Sequence, residues 1–431
     1  MSCLSSKPAP GRPAAAWVAA ALVLGGGCSL ITDPFATNES SGDPYPISVG
    51  LASGAVQVSS NEPGGVSRES LVDVLSPLSI LDPGQDGAAR SQLRSFYLVG
   101  AAAAGAREVA RALLEGPVLE LHPCDEPTCV VGNSGAEIPF QVVLGADLFA
   151  GDALRLDLGK SRISVFPDIA GSASQRTALC EAVFPEPFRG GGTLVLGGTE
   201  VPYVGRRITV SSCVAPKTTD VISERGTDLM LLVSTALGPT LLSESAYQRY
   251  RVVRQAQTGL PVPELATLPA AAVTIPSGRL QGRTTTLPAL TLVGQATDRG
   301  ACGEVYWHKV LLEDDCEPQN RTKLCTAKKE RCGAPAMVEL SRPVQVLVIA
   351  DAEPLLAGLR TELHPETPEV DGVLGTELLR SLELDIDYPN NRLLARCSAA
   401  QCTIFPDLPN LDTCERARSC RPAPAATARG R

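Results

Sequence analysis

Two short segments each place polar side chains that could take part in proton transfer directly after an apolar run. In residues 71–79 an apolar run leads into Asp73 and then Ser76, and in residues 231–236 a similar apolar run leads into Ser234 and Thr235. A carboxylate near neutral pH can act as a general base, whereas a serine hydroxyl group does not ionise in that range. Chemistry at these segments therefore requires that the fold bring Asp73 and Ser234 together. The alternative for Asp73 is an ordinary hydrogen-bonded or solvent-facing residue at the end of a strand.

A longer pattern occurs twice, 230 residues apart. Val143-Leu144-Gly145 begins a segment that ends near Phe166, and Val373-Leu374-Gly375 begins one that ends near Arg396. Aligned without gaps, the two segments also share Leu148/Leu378, Leu154/Leu384, Asp157/Asp387 and Arg162/Arg392. An ungapped match of this length predicts two structurally related lobes.

Together the two patterns resemble the pepsin and retropepsin-like aspartic proteases. In that family each lobe presents Asp-Thr/Ser-Gly on a tight loop, and a later apolar-apolar-Gly segment passes beneath the loop and holds it. The resemblance spans roughly residues 46–407, is most specific over 371–394, and includes 194–198, which is similar to a strand at the lobe junction. It implies an all-β fold, namely a two-lobed pepsin-like double β-barrel with a central cleft. The alternative is two unrelated β-domains that share a common strand–turn pattern.

The resemblance assigns roles to particular residues. Asp73 stands at the position of one catalytic carboxylate, and Ser234 replaces the other, while Thr235 keeps the family residue. Ser76 is expected to hydrogen-bond Asp73. Gly145 and Gly375 are expected to support the two cleft loops.

Three further departures affect the same loops. Val74 replaces a Thr, and Leu75 and Ala236 each replace a Gly that leaves room for water and the substrate backbone. The family mechanism needs two carboxylates that share a proton, and their closeness splits their pKa values. Loss of one general acid–base partner costs on the order of 10²- to 10⁴-fold in rate. The sequence therefore predicts a non-catalytic, aspartic-protease-like protein that binds a peptide or protein partner or acts as a scaffold. The alternative is a weak or atypical endopeptidase that uses Asp73.

The N-terminus has the features of an export signal. Lys7 and Arg12 precede an apolar stretch at 14–24, which is too short to span a bilayer, and small residues lead to Cys28. This resembles a bacterial lipoprotein signal in which Cys28 is lipidated, although Gly25 stands where such signals usually carry Leu. Ser29 favours the outer membrane if the cell has two membranes. The alternative is plain secretion or a periplasmic protein, with Cys28 as an ordinary residue.

The cysteine content fits an exported chain. Twelve cysteines follow Cys28, and an even number in an oxidising compartment predicts six disulfides. They are Cys124, Cys129, Cys180, Cys213, Cys302, Cys316, Cys325, Cys332, Cys397, Cys402, Cys414 and Cys420. Short loops suggest 124–129, 397–402 and 414–420, and 316–325, 302–332 and 180–213 would complete the set, but spacing does not fix the connectivity. A metal site at His122, Cys124 and Cys129 is the alternative to a small disulfide loop. No cofactor motif is present.

Composition limits the remaining possibilities. The net charge of −9 argues against a nucleic-acid partner, and 39 Gly with 35 Pro predicts many short strands and turns. A short helix is expected at 106–114, and Asp157 and Asp387 are expected to be structural turn residues. The predicted organisation is a signal at 1–28, a tether at 29–45, a first lobe at 46–185, a linker at 186–192, a second lobe at 193–407 with a Cys-rich insertion at 300–335, and a partly disordered tail at 408–431.

Overall fold

The structure, a computed structural model, describes most of the chain between residues 42 and 411. The described residues are 42–50, 54–63, 65, 67–82, 90–99, 111–120, 142–167, 182–196, 199–214, 226–275, 278–293, 332–334, 337–340, 343–363, 370–399, 402–405 and 408–411. The signal at 1–28, the tether up to residue 41, most of the insertion and the end of the tail lie outside these ranges.

The first lobe contains a closed six-stranded barrel. Its strands are β2 (Val56–Asn61), β3 (Arg68–Val72), β4 (Ile80–Leu81), β5 (Arg90–Val99), β6 (Arg111–Glu120) and β7 (Val142–Leu144). They pair in the order β2-β3-β7-β4-β6-β5, and a pairing of β5 with β2 closes the ring. Alternate residues of β2 are buried, as expected for a strand with one face on a core. Residues 111–114, expected in a helix, belong to β6, because ten residue pairs join β5 and β6 in one long hairpin.

The second lobe is built on an eleven-stranded sheet. Its strands are β11 (Phe188–Leu196), β12 (Thr199–Val214), β13 (Thr227–Val233), β14 (Thr240–Ser243), β15 (Ala270–Ile275), β16 (Gly278–Leu287), β17 (Leu290–Val293), β19 (Met337–Leu340), β20 (Val344–Ile349), β21 (Gly372–Leu374) and β24 (Cys402–Phe405). A separate short pair consists of β18 (Cys332–Ala334) and β25 (Leu408–Leu411). The helices are α1 (Glu244–Thr258), α2 (Pro354–Leu363) and α3 (Thr376–Leu379). The expected linker at 186–192 is mostly strand, because Phe188–Leu196 pairs along its length with β12.

A third group of strands joins the lobes. It runs β10-β23-β22-β8-β9-β1, formed by β1 (Pro44–Val49), β8 (Ala153–Asp157), β9 (Arg162–Phe166), β10 (Ala182–Pro185), β22 (Leu382–Asp387) and β23 (Arg392–Cys397). The four central strands of this group come from the two copies of the sequence repeat: one copy forms the hairpin β8-β9 and the other the hairpin β22-β23. Arg155 lies opposite Asp385, the residue at its own position in the other copy, so a pseudo-twofold axis passes between them.

The repeat gives each lobe the same local arrangement. Strand β7 runs parallel to β3 and antiparallel to β4, and β21 runs parallel to β13 and antiparallel to β14. Each apolar-apolar-Gly segment therefore passes between the strands before and after its polar loop. Buried side chains of both lobes belong to one continuous core. The all-β, two-lobed expectation is confirmed.

Candidate functional site

Asp73 lies directly after β3, on a loop held by β7. Its N–H donates to the carbonyl of Leu144 at 3.0 Å, which continues the parallel pairing by one residue. The loop then turns so that the Leu75 N–H donates to Asp73 Oδ1 at 3.0 Å. The carboxylate is thus fixed by backbone groups that carry no formal charge.

Ser234 occupies the matching place after β13. Its N–H donates to the carbonyl of Leu374 at 3.0 Å, and its Oγ accepts from the Ala236 N–H at 3.1 Å. These are the contacts that Asp73 makes, with a hydroxyl oxygen in place of a carboxylate oxygen. Ser234 Oγ donates to Asp73 Oδ1 at 3.4 Å. The fold therefore brings together the two residues that the sequence placed 161 positions apart.

Thr235 joins the two loops. Its hydroxyl donates to the carbonyl of Val72 at 2.6 Å and accepts from the N–H of Val74 at 3.1 Å. Both partners belong to the first lobe, whereas the buried Val74 has no hydroxyl to return the contact. The side-chain contact between the two loops is therefore made from the Thr235 side only.

The support beneath the first loop includes Ser76. The Ser76 hydroxyl donates to the carbonyl of Leu78 at 2.7 Å, and Ser76 contacts the Asp73 carboxylate through its backbone N–H. Ser76 therefore hydrogen-bonds Asp73 as expected, through its backbone N–H and not through its hydroxyl group. The loop closes on itself between residues 76 and 78, which leaves the hydroxyl group directed at Leu78.

The two support glycines lie where no side chain fits. A Cβ on Gly145 would come within 2.4 Å of the Leu78 carbonyl oxygen, and one on Gly375 within 2.3 Å of the Pro239 carbonyl oxygen. The N–H of Gly145 donates to Ser79 Oγ at 2.8 Å, and that of Gly375 to Thr240 Oγ1 at 3.3 Å. Each glycine therefore lets the backbone pass directly beneath its loop.

Asp73 is set apart electrostatically by its surroundings. Burial raises the pKa of its carboxyl group, although the Leu75 N–H, the charge of Arg207, and hydrogen bonds from Ser234 and Ser76 act in the opposite direction. Desolvation disfavours the charged form, and here the hydrogen bonds do not fully offset it. Ser234 donates a hydrogen bond to Asp73 but is not itself a second ionisable group.

Asp147, which follows Gly145, is a second perturbed carboxyl group. It accepts from the Ser79 N–H at 2.9 Å, the Ser79 hydroxyl at 2.5 Å and the Leu148 N–H at 2.8 Å. Burial nevertheless raises its pKa to about 6. Asp147 thus holds the loop that carries Ser79, while remaining a buried carboxylate at neutral pH.

We expect Asp147→Asn to change the pH dependence of stability. Because the folded-state pKa lies above the ordinary value, the contribution of Asp147 is fully present below about pH 4 and is lost as the pH rises through about 6. The wild type should therefore lose about 3 kcal/mol relative to the variant over this interval. Urea unfolding at pH 4, 5, 6 and 7 measures the difference, with the exposed Glu69→Gln as control. Parallel curves for the wild type and Asp147→Asn would contradict the assignment.

A cavity of about 740 Å³ opens beside Asp73, between the first loop and the second lobe. Its polar wall contains Arg207, Tyr203 and Glu362. Arg207 donates to both carboxylate oxygens of Glu362, at 2.6 and 2.5 Å, and to the carbonyl of Leu75. Sequence reasoning missed all three residues, since they lie far from either polar loop in the chain and belong to no motif.

The predictions for the cysteines and for a metal site can be compared with the structure only where the residues are described. The Cys397–Cys402 disulfide is confirmed, and Cys213 is disulfide-bonded. Cys28, the 124–129 and 414–420 pairs and the alternative metal site at His122 lie outside. Over the described ranges, no cluster of three His, Cys, Asp or Glu side chains could hold a metal ion.

Asp157 and Asp387 serve as turn residues, as expected. Asp157 accepts from the Lys160 N–H at 3.1 Å, and Asp387 accepts from the Asn390 N–H at 3.3 Å. Both are buried and form ion pairs, with Arg162 and Arg392 respectively. They stabilise the hairpins that join the lobes and lie outside the cavity.

Among the helices of the described residues, none combines the length and the apolar character needed to cross a lipid bilayer.

Comparisons with known proteins assign no family to the chain. No protein-family model matches it, and no curated protein sequence matches it. Among solved structures it is similar to the basic 7S globulin from soybean, a protein of pepsin-like fold, at 11% sequence identity. The match covers 83% of this chain and 95% of that one, with a TM-score of 0.42. At this score and identity, no conclusion is drawn from the likeness.

Proposed function

We propose that this chain is a degenerate relative of the pepsin-like aspartic proteases that binds a polypeptide in its cleft without cleaving it, or acts as a scaffold. The observation that carries the proposal is the contact of Ser234 with Asp73 at 3.4 Å. A hydroxyl group stands where the family chemistry needs a second carboxyl group.

The chemistry of the pair supports this reading. Peptide hydrolysis by two carboxyl groups needs one to accept a proton from water while the other donates one to the substrate carbonyl. Asp73 could accept a proton, but Ser234 has no acidic proton to give near neutral pH. In addition, Leu75 and Ala236 are buried in the loops, at the places where the family has glycine. An extended peptide needs no dyad to bind, because backbone hydrogen bonds to a strand edge suffice.

We further propose that the protein is exported and held at the bacterial cell envelope by a lipid on Cys28, with the outer membrane as the site if two membranes are present. Support comes from the basic and apolar segments before Cys28 and from the even set of later cysteines. Mass spectrometry of the mature N-terminus tests this: a diacylglyceryl group on Cys28 is expected. An unmodified N-terminus elsewhere would mean plain secretion.

One observation favours the second candidate, an atypical endopeptidase. Asp73 lines an open cavity, and burial raises the pKa of its carboxyl group, as is common for catalytic acids and bases. A water molecule placed there could be activated by Asp73 alone, with a proton donor supplied by the substrate or solvent. The expected rate would be low because the acid is missing.

Cleavage of a diverse peptide library by residues 29–431, from pH 2 to 7, separates the two candidates. We expect no cleavage above background for the wild type, and none for Asp73→Asn. Ser234→Asp should also remain inactive or nearly so, because Val74, Leu75 and Ala236 still alter the loops.

Cleavage that Asp73→Asn abolishes would overturn the non-catalytic proposal. The exposed Glu69→Gln serves as the control for purity and folding, since Glu69 lies on β3 but outside the cavity. Library peptides that survive intact but remain bound after gel filtration would identify the ligand class.

A further inference from the structure

The cavity beside Asp73 has a mixed lining that suits one kind of guest. Asp73, Ser76, Arg207, Glu362 and Tyr203 supply its polar lining, and Arg207 also reaches the Asp73 loop through the Leu75 carbonyl. The remaining wall is largely apolar and includes Pro77, Leu355 and Leu359. A guest that fits must offer apolar surface along its length and a polar group at the Asp73 end.

The charged groups of the polar wall already form an ion pair with each other. Arg207 and Glu362 form a two-point ion pair, and only about a tenth of each side chain is exposed. The remaining contact of Arg207 goes to the Leu75 carbonyl. Tyr203 also hydrogen-bonds Glu362. Burial is the larger cause and this hydrogen bond the second, and together they raise the pKa of Tyr203 to about 12. This wall is therefore close to neutral and is held rigidly by its own contacts.

Asp73, in contrast, accepts no hydrogen bond from a cationic side chain of the described residues. Its hydrogen-bond donors are the N–H groups of Leu75 and Ser76 and the hydroxyl of Ser234, all of them uncharged. Arg207 acts on it through space, but the hydrogen bonds of Arg207 go to Glu362 and Leu75. The side chain is half-buried, and a ligand that brings a positive charge stabilises the charged form of such a carboxyl group.

We infer that this cavity binds a primary ammonium group on an aliphatic stem, with Asp73 as its counter-ion. A lysine side chain has this chemistry: the stem packs on Leu355, Leu359 and Pro77, and the ammonium group reaches the carboxylate. The inference deepens the proposed function, because it names lysine as the anchoring residue of a bound peptide. The cavity's preference for a cation can, however, be tested without any peptide.

The first test compares n-butylammonium with n-butanol, which share the stem and differ in charge, by ligand-observed NMR titration at pH 7. Charge-assisted hydrogen bonds exceed neutral ones in strength, so we expect the ammonium ion to bind at least about tenfold more tightly. Asp73→Asn should abolish the difference, and Glu69→Gln should keep it. Equal binding of the two probes, or an undiminished preference in Asp73→Asn, would overturn the inference.

The pH dependence gives a second readout that needs no variant. The charged and titratable groups around Asp73 are Arg207 and Tyr203 on β12, Glu362 on α2, and Tyr388 after β22, and next to Tyr388 lie Asp147 and Arg206. Burial raises the pKa of the Asp73 carboxyl group, so Asp73 takes up its proton at a higher pH than an ordinary aspartate. The preference for the ammonium probe should therefore fall on acidification as Asp73 takes up a proton. A preference that stays constant down to pH 3 would contradict the assignment of Asp73, even if Asp73→Asn failed to fold.

Matched peptides then separate this inference from the proposed function. Each extended peptide carries one lysine, and its partner carries N-acetyl-lysine at the same place. If both bind equally, the cleft binds peptides but the cation pocket is wrong. If neither binds while n-butylammonium does, the pocket stands and the peptide-binding proposal fails. A tenfold preference for the lysine peptide supports both.

Discussion

Gly375→Ala is expected to destabilise the protein by about 3 kcal/mol or more, enough to prevent folding in a marginally stable domain. The backbone of Gly375, with φ of −95°, is open to any residue, so conformation does not demand a glycine here. Space does: a Cβ would meet the carbonyl oxygens of Pro239 and Gly238 at 2.3 and 2.4 Å. These atoms belong to the backbone of the Ser234 loop and cannot turn aside. Thermal and urea unfolding measure the loss.

Gly358→Ala provides the control for Gly375→Ala. Gly358 lies within α2, and a Cβ there would meet no atom within 4 Å. We expect a gain of about 0.5–1 kcal/mol, since alanine favours helix over glycine. Gly145→Ala should behave like Gly375→Ala, because the repeat places it under the Asp73 loop. A mild effect at both support glycines would mean that the loops can move away.

The second large effect is expected for Asp385→Asn, at the pseudo-twofold axis. Asp385 is buried, and it accepts from Arg155 at 2.7 and 3.1 Å and from Arg396 at 2.7 Å. Removing the acid leaves two partly buried guanidinium groups without their main counter-ion, which should cost about 2–4 kcal/mol. The loss should appear in urea unfolding at pH 7.

Glu383→Gln is the matched control for this change. Glu383 lies two residues away on β22 and contacts the same Arg155 and Arg396, at 3.4 and 3.2 Å. Its contacts are longer and its side chain is more exposed than that of Asp385, so the cost should stay at about 1 kcal/mol or less. Equal effects of the two substitutions would show that burial at the axis is not the cause.

The sequence was sufficient for the parts of the site that repeat. The doubled apolar-apolar-Gly segment located Gly145 and Gly375, and the apolar runs before Asp73 and Ser234 located the facing pair. Such features are readable because a strand and its tight turn are specified locally, by residue types at fixed spacing.

The parts that failed depend on distant contacts. Arg207 reaches Leu75, 132 positions away, and Glu362, 155 positions away, and no local pattern marks either partner. Residues 111–114 have helical spacing, yet their pairing with β5 overrides it, since tertiary context outweighs local propensity.

The strands that join the lobes also set the order in which the chain can fold. Strand β8 pairs on one edge with its neighbour β9, but on the other edge with β22, whose contact residues lie 230 positions later. At synthesis rates of about 5–20 residues per second, roughly 10–50 s separate the appearance of the two strands. The first barrel can close in that time, because its six strands end at Leu144. During that interval β22 is not yet available to pair with β8, and an unpaired strand edge is a site of aggregation. The pairing of β8 with β22 is therefore among the last steps of folding, because it can form only after the residues of β22 have followed the first lobe.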